Sequence, residues 1–535
     1  MSDGELRPRR KWPYVVGILA GLLAGLVIFV SVKLRNLDDR VRDWVVVQLQ
    51  QKFQSDVDLG GLHVRVLPDL GVTGEDLSLR LHNRKDLPPM FHVAKFSFNL
   101  GWTGILDAPH HISGIYVENM TITIPPRGEK HDKPPAPKKK FPEVTIDEIV
   151  INDTDLVIMP KKQGKAPLDF DIHDLVLKSV GPNKPFDFHG NLTNAKPQGE
   201  IATRGTFGPW SADEPGDTPL TGTYKFTDAD LGPFPGIAGT LSSTGDFKGK
   251  LNEIEVAGKT DTPNFSLDPV GHAVPLHTDF SATVDGTDGD TYLHPVRAKF
   301  LHSSFTANGK VVRVKNPRGH DIELDVVMDH ARVEDLLQLG VKTDPPILSG
   351  NIQLKTRMVL GPGEEDVANR LKLDGNFNIP DGKFSNQKIQ DRIDSLSLRS
   401  QGKPKEAQEH AEVGVPSNLD GTFHLEKGLF TFSQLNFSVP GTNAEVEGQY
   451  SLDGNTFDFH GKLKLEATLS HMMTGWKSVL LKPVDPFFHK NGSGTEVPFK
   501  VTGTRSEPHF GLDFGKHDDK NGSNDKPEQN RTPSQ

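Results

Sequence analysis

The sequence predicts a mainly β protein that follows a single N-terminal transmembrane helix. Two observations lead to this fold class. A 20-residue run without charge, residues 13–32, matches the thickness of a bilayer core, and most of the chain after it alternates apolar and polar residues with a period of two. The composition supports the same fold class, because 52 Gly, 40 Pro and a hydrophobic content of only 35% suit strands and turns better than long helices.

Length and composition also limit the classes of function. A chain of 535 residues is too long for one compact domain of about 100 to 200 residues, so several units or one elongated body is expected. The absence of Cys excludes disulfides, thiolate metal sites and cysteine nucleophiles. A net charge of -10 lacks the excess of cations that binding to phosphate backbones requires, so nucleic acid is not an expected partner.

Residues 13–32 are predicted to be an uncleaved membrane anchor. The alternative, a cleaved signal peptide, has a usual apolar core of about 7 to 15 residues and an A-x-A-like site, and this run is longer and lacks such a site. Cations flank both ends equally, so charge does not set the orientation. Because the tail at 1–12 is short, it is predicted to be cytoplasmic, with the remainder of the chain on the other side of the membrane.

Three glycines recur every four residues within the predicted anchor, at Gly17, Gly21 and Gly25. They lie on one helix face, where the lack of side chains would let a second helix approach closely. The alternative is that Gly is simply frequent in membrane helices.

The region 33–124 begins with a predicted amphipathic helix, Asn36 to Phe53, whose apolar residues follow i, i+3, i+4 spacing. Strand-like alternation then begins. Residues 125–142 interrupt it with prolines and lysines and are predicted to be a solvated linker, with contact to an anionic membrane surface as the alternative.

From 143 to 515 the alternation scarcely stops, which predicts a long series of strands. The clearest run is Phe457 to Leu469, where every odd position is apolar or Gly and every even position is polar. Short helices are predicted at Arg332 to Gly340 and from Leu469 to Leu480. The last segment, 516–535, has no apolar residue to bury and is predicted to be disordered.

The sequence carries none of the common catalytic, nucleotide-binding or zinc motifs, and it predicts no catalytic residue, cofactor or metal site. Asp285, Asp288 and Asp290 share a Gly-containing segment that could suggest calcium. The spacing is not that of an EF-hand, and a hairpin turn is the simpler interpretation. The chain is therefore not expected to be an enzyme.

Several short sequence segments, taken together, resemble the AsmA-like proteins of the bacterial envelope. They begin with the anchor, the amphipathic helix and Leu62 to Pro68 (LHVRVLP). Further similar segments are Ile112 to Pro125, Val144 to Asp153, Phe377 to Leu398, which includes a predicted strand at Leu396-Ser397-Leu398 (LSL), and Gly494 to Pro508. The resemblance covers roughly residues 10 to 515; each segment is short, and the combination is more specific than any one of them.

The resemblance implies an elongated, curled antiparallel β-sheet that forms a groove with an apolar inner face, as in bridge-like lipid transfer proteins. It further implies a location in the bacterial inner membrane with the bulk of the chain in the periplasm, a phospholipid ligand, a role in outer-membrane homeostasis, and envelope protein partners. The residues predicted to line the groove are the apolar members of the alternating strands: Phe186, Phe188, Ile322, Leu324, Val326, Leu371, Leu373, Phe377, Leu435, Phe437, Phe457, Phe459, Leu463 and Leu465.

Two alternatives stay open. The alternation by itself favours closed β-sandwiches whose apolar faces pack together, and the resemblance is what favours a groove. A non-lipid scaffold or outer-membrane protein assembly factor, acting through exposed sheet edges, is the second functional class.

Overall fold

The fold is described from a computed structural model. It describes residues 37–513 except for short connections and three longer segments; the omitted residues are 66–69, 83, 101–109, 127–143, 161–166, 182, 196, 212–213, 268–270, 315–318, 341–344, 410–413, 453–455, 469, 475–493 and 505–506. The predicted tail 1–12, the anchor 13–32 with Gly17, Gly21 and Gly25, most of the linker 125–142, and the tail 516–535 therefore lie outside the described residues. Among the described residues, no helix is both long and apolar enough to span a membrane.

The protein is mainly β, as predicted, and the strand pairs whose register the structure describes are antiparallel apart from one. The strands, in chain order, are β1 Ser55–Arg65, β2 Leu70–Leu81, β3 Phe91–Leu100, β4 His110–Ile124, β5 Val144–Ile158, β6 Leu168–Val180, β7 Phe186–Ala195, β8 Gln198–Phe207, β9 Pro219–Asp230, β10 Ile237–Ala238, β11 Thr240–Lys250, β12 Glu253–Leu267, β13 Val274–Val284, β14 Thr291–Phe300, β15 Ser303–Val314, β16 Gly319–Arg332, β17 Leu348–Ser349, β18 Asn351–Leu360, β19 Leu371–Phe384, β20 Ser417–Glu426, β21 Leu429–Val439, β22 Thr442–Ser451, β23 Thr456–Leu465, β24 Thr495–Thr504 and β25 Pro508–Leu512.

The described helices are few and, apart from two, very short. They are α1 Leu37–Phe53, α2 Val333–Gly340, α3 Val367–Arg370, α4 Gln387–Ser400 and α5 Glu406–Glu409, with one 3-10 turn at Pro215–Asp217. The predicted helices that end at Phe53 and Gly340 are thus present.

The chain divides into two compact units. Unit 1 comprises Met1–Pro346 with Ile352–Leu373, and unit 2 comprises Ile347–Asn351 with Asp374–Gln535. In unit 1 each long strand pairs with the next along the chain, from β1 to β16, and β18 then pairs with β16. This ladder is open and curled.

One pair in unit 1 departs from the antiparallel pattern, because β5 runs parallel to β4, with His110 opposite Val144 and Ile124 opposite Ile158. A parallel pair needs a connection of a dozen residues or more. Residues 125–143, which contain the predicted linker, supply this length.

The strand ends of unit 1 form two rims. Rim A carries the end of β2, the start of β3 and the start of β6, since Leu79 pairs with Phe91 and Ile158 pairs with Leu168. Rim B carries the opposite strand ends. They include the end of β8, where Phe207 pairs with Phe186, and the β13–β14 turn beyond the pair Val284–Thr291.

The N-terminal end of unit 1 contains a dry hydrophobic core. Helix α1 covers the inner face of β1 to β5, and Val72, Leu79 and Ile112 beneath it are only 1 to 3% exposed. Helix α1 contributes Val45 and Trp44 to this core, and the backbone N–H of Val64 donates to Asp38 Oδ1 at 3.1 Å.

Unit 2 is built on β20 to β25, which pair in chain order, together with β19, which pairs with β20. Helix α4 lies along one end of these strands. Ser397 Oγ donates to the carbonyl of Pro440 at 2.7 Å, and the N–H of Ala467 donates to the carbonyl of Ser400 at 2.8 Å.

Three local predictions differ from the structure. The predicted LSL strand at Leu396 to Leu398 is part of α4, whose start is capped by Asn386. Strand β23 ends at Leu465 instead of continuing to Leu469, because the chain turns there towards α4. The described part of the helix predicted from Leu469 is a turn at residues 470–473, and its later residues lie outside the described part of the chain.

Candidate functional site

The candidate site is the inner face of the two sheets, and strand register assembles it. In unit 2, Leu435 lies opposite both Gly421 and Val446, and Val446 in turn lies opposite Gly461. The row continues to Phe499 and ends at Leu512 on the last strand. Because directly opposed residues share a face, alternating positions of separate strands merge into one apolar surface.

A row of aromatic rings runs across this surface from β19 to β23. We call it the phenylalanine row; its members, in order of contact, are Phe377, Phe423, Phe430, Phe432, Phe459 and Phe457. Consecutive ring centroids are 5.9 to 6.3 Å apart. All six side chains are partly buried, so none is sealed in a core.

Glycines allow several of these rings to lie along the sheet. A Cβ added to Gly448 would lie 2.6 Å from Phe459 Cδ1, and one added to Gly421 would lie 3.1 Å from Phe377 Cε1. Unit 1 repeats the arrangement, with Phe247 Cζ 2.6 Å from the Cβ position of Gly222. Rings that lie over glycines cover the backbone with apolar surface without standing upright in the space above the sheet.

The opposite face is charged. Lys464 Nζ lies 2.5 Å from Glu445 Oε1, and Lys248 Nζ lies 3.2 Å from Glu255 Oε2. These are exposed cross-strand ion pairs, which contribute little to stability individually. They establish which face of each sheet meets water.

The predicted lining residues fall on the inner faces of five strands. Phe186 and Phe188 are in β7, and Ile322, Leu324 and Val326 are in β16. Leu371, Leu373 and Phe377 are in β19, Leu435 and Phe437 are in β21, and Phe457, Phe459, Leu463 and Leu465 are in β23. All are partly buried except Leu465, which is 6% exposed.

Register connects distant members of this set within unit 1. A single row runs from Phe188 to Leu324 through Gly205, Gly222, Phe247, Val256, Ala282, Leu293 and Gly309. Sequence spacing alone could not align strands so far apart along the chain.

The sequence analysis missed part of the phenylalanine row. A bulge in β21 shifts the register between Phe432 and Leu435, so even-numbered Phe430 and Phe432 share a face with odd-numbered Leu435 and Phe437. Strict alternation assigns the two pairs to opposite faces. The aromatic enrichment of β21 was the available signal.

In the acidic turn between β13 and β14, the carboxylates of Asp285 and Asp290 already accept hydrogen bonds from nearby protein groups. Asp285 Oδ1 accepts from the N–H of Thr287 at 2.9 Å and from the Thr287 hydroxyl at 2.6 Å. Asp290 Oδ1 accepts from the N–H of Arg313 at 3.2 Å. In the described portion of the chain, no group of three or more His, Cys, Asp or Glu side chains is arranged to hold a metal ion.

Comparison with known proteins gives no relative from which a function can be transferred: no family model, curated protein or solved structure matches the chain. The chemistry of the site is therefore read from its surface. A wide, partly exposed apolar face can take up hydrocarbon, because each Å² of apolar surface removed from water contributes about 25 cal/mol.

Proposed function

We propose that this chain is an AsmA-like protein of the bacterial inner membrane that holds and moves phospholipid. Residues 13–32 would anchor it, residues 1–12 would be cytoplasmic, and the described sheets would stand in the periplasm. The acyl chains would lie on the inner faces, and the headgroup would stay in water at the opening between the rims.

The observation that supports this proposal most directly is the phenylalanine row. Six neighbouring aromatic side chains on one face are left partly exposed, although a closed sandwich would bury them completely. A contiguous exposed apolar surface marks a binding site in a stable protein.

The proposed movement is passive. A hydrocarbon chain gains about 0.8 kcal/mol for each CH₂ that leaves water, and it gains this equally anywhere on a uniform apolar surface. Sliding along such a surface needs no reacting side chain and no covalent step. The lipid gradient or a partner protein would set the direction of net transfer.

Lipid retention tests the proposal. The full chain is expressed in a Gram-negative host and extracted with a membrane-solubilising polymer, and lipid that remains bound after exchange into a lipid-free amphipathic polymer is measured by mass spectrometry. We expect Phe459→Asp to lose most of this lipid while retaining its β-sheet circular dichroism, because a carboxylate then faces the hydrocarbon.

Two variants control for the substitution itself. Thr456→Asp places the same carboxylate on the exposed face of β23, and Phe459→Leu keeps the inner face apolar. Both should retain lipid at the level of the unchanged protein. A folded protein that carries no lipid, or equal loss in Phe459→Asp and Thr456→Asp, would refute the proposal.

A second candidate function is supported by the last strand of unit 2. Among the described residues β25 pairs only with β24, and its Phe510 and Leu512 are 78% and 51% exposed. An unpaired edge with apolar side chains can accept a strand from another protein. A scaffold or outer-membrane protein assembly factor would use this edge, and it would be lipid-free in the experiment above.

A further inference from the structure

The two rims of unit 1 touch each other near the N-terminal end of the strand ladder. Trp210 follows β8 on rim B, and its ring centroid lies 5.8 Å from that of Phe91 and 6.0 Å from that of Phe53, both on rim A. In a flat sheet β3 and β8 would be five steps, or about 24 Å, apart. The curl of the sheet therefore brings its rims into contact here.

A second contact repeats the arrangement further along the chain. Gly289 lies in the β13–β14 turn on rim B, and a Cβ placed on it would be 3.5 Å from Leu168 Cδ1 at the start of β6 on rim A. Arg313 packs against the same glycine, with its Cδ 2.7 Å from that Cβ position.

A third contact joins the β9–β11 connection to α3. Gly236 follows β9 at rim A, where Asp230 pairs with Thr240. A Cβ on Gly236 would be 3.1 Å from Val367 Cγ2 in α3. Helix α3 follows β18 at rim B, because Pro362 lies beside Gly319 at the start of β16.

All three contacts have the same sense: an earlier strand end on rim A meets a later strand end on rim B. We call them the first, second and third rim contacts, in chain order. They cross the opening along which a lipid headgroup would travel. Two intervals of the rims lie between successive contacts, one between the first and second contacts and one between the second and third, and we call these intervals the windows.

The side chains that meet at the first and third rim contacts are apolar, and at the second contact the apolar Leu168 lies beside Arg313. Phe53, Phe91 and Trp210 form the first, Leu168 the second and Val367 the third. An acyl chain can pass beneath the second and third contacts on the inner face, whereas the first contact adjoins the packed core beneath α1. A phosphate forced past these apolar side chains would lose its water without gaining a hydrogen-bond partner from them.

The membrane-proximal end of unit 1 offers no alternative route. Helix α1 and the strands beneath it form a packed core in which Val72 is 1% and Leu79 is 2% exposed. A lipid that enters unit 1 from this end would have to open that core.

We infer that the rim contacts act as gates: phospholipid enters unit 1 sideways through the windows and passes from one window to the next only while a rim contact parts. This inference rests on the proposed function and adds where the lipid enters and what limits its passage.

Covalent locking tests the gates. The chain has no Cys, so introduced pairs are its only thiols. Leu168→Cys with Arg313→Cys locks the second contact, which separates the two windows, and Pro235→Cys with Val367→Cys locks the third, which bounds the second window, each through a short bifunctional maleimide with a cleavable spacer. Arg204→Cys with Thr223→Cys is the matched control, because these residues pair on neighbouring strands and do not bridge the rims.

Transfer is then measured with the full chain reconstituted in vesicles. One fluorescent probe is a phosphatidylethanolamine, and the other is a diacylglycerol with the same acyl chains. We expect either lock to slow phosphatidylethanolamine transfer about tenfold or more and diacylglycerol transfer less than about twofold, because only the charged headgroup must cross the contact. Cleavage of the spacer should restore the rate.

The outcomes separate the inference from the proposed function. If neither probe is transferred before locking, the proposed function fails and the inference fails with it. If the unlocked protein transfers both probes and neither lock changes the rate, the gates are refuted alone. Equal slowing of both probes, or equal slowing by the control pair, also overturns the inference. The Pro235–Val367 pair lies outside the buried core, so it keeps the test decisive if the Leu168–Arg313 pair does not fold.

Discussion

The N-terminal strands of unit 1 and the inner face of unit 2 carry the same alternating pattern and have opposite environments. In unit 1, Phe96 and Phe98 stack beneath helix α1 and are 6% and 5% exposed. In unit 2, the corresponding Phe457 and Phe459 remain partly exposed. The exposure differs because helix α1 packs over Phe96 and Phe98, whereas Phe457 and Phe459 have no such helix over them among the described residues. An alternating strand thus specifies an apolar face, and only a second element makes that face a core.

The largest predicted difference in stability between the two regions is for an introduced carboxylate, which is buried in unit 1 and partly exposed in unit 2. We expect Leu79→Asp to destabilise the covered strands by about 4 kcal/mol or more, because Leu79 is 2% exposed among apolar side chains beneath α1. Leu463→Asp in unit 2 should cost about 1 to 2 kcal/mol, since water can reach a partly exposed side chain. Urea titration followed by limited proteolysis would measure each region separately.

The conservative variant Leu79→Met serves as the control and should cost less than about 1.5 kcal/mol. Equal unfolding by Leu79→Asp and Leu463→Asp would mean that the inner face of unit 2 is itself a closed core, and the contrast between the regions would be lost.

Glycines beneath aromatic rings give a smaller and more specific contrast. A Cβ on Gly74 would lie 2.1 Å from Phe96 Cζ inside the covered core, whereas a Cβ on Gly421 would lie 2.9 Å from the carbonyl oxygen of Gln434 and 3.1 Å from Phe377 Cε1 on the partly exposed face. The Phe96 ring is packed in the core, whereas the Phe377 ring is partly exposed and the Gln434 carbonyl has to shift with its strand by only a few tenths of an ångström. We expect Gly74→Ala to cost about 2 to 3 kcal/mol and Gly421→Ala about 1 to 2 kcal/mol.

Thermal unfolding of the two variants would check this order. Phe96→Leu combined with Gly74→Ala is the control, because removing the ring should recover part of the lost stability. A larger loss for Gly421→Ala than for Gly74→Ala would show that the covered core adapts more easily than the uncovered face.

Local sequence pattern predicted much of this fold. The two-residue alternation identified the strands because it reports a face, and the i, i+4 spacing identified α1. The error at Leu396 to Leu398 shows the limit of the method, since three alternating residues also fit a helix. The helix-start signal that distinguishes a helix from a strand here is Asn386, whose Oδ1 accepts from the N–H of Lys388 at 3.0 Å.

The remaining features depend on contacts between distant strands. The bulge at Phe432 and Leu435 changes which residues share a face, and no local pattern marks it. The rim contacts depend on the accumulated curl of many strands, so Trp210 and Phe91 cannot be associated from their own surroundings in the sequence. These features decide how a lipid would enter and move, and they are the part that the sequence could not supply.

The smallest predicted effect concerns the charged outer face of unit 2. A hydrogen bond to Asp374, with Nδ1 and Oδ1 2.6 Å apart, raises the pKa of His424, and Glu426 adds to the rise. A hydrogen bond to Asp513 raises the pKa of His460, assisted by Asp458, although Lys500 is its register partner on the next strand. A raised pKa means that the folded state holds these protons more tightly than the unfolded chain does.

The stabilisation from these two histidines is therefore complete below about pH 6.5, the value for an unfolded histidine, and is lost as the pH rises through the folded-state pKa values. We expect the urea midpoint of unit 2 to fall between pH 6 and pH 8, and to fall less in the double variant His424→Gln, His460→Gln. Because both groups are exposed, salt should weaken the difference. Both histidines lie in unit 2, so a pH dependence of unit 2 that survives in the double variant would assign it to other groups.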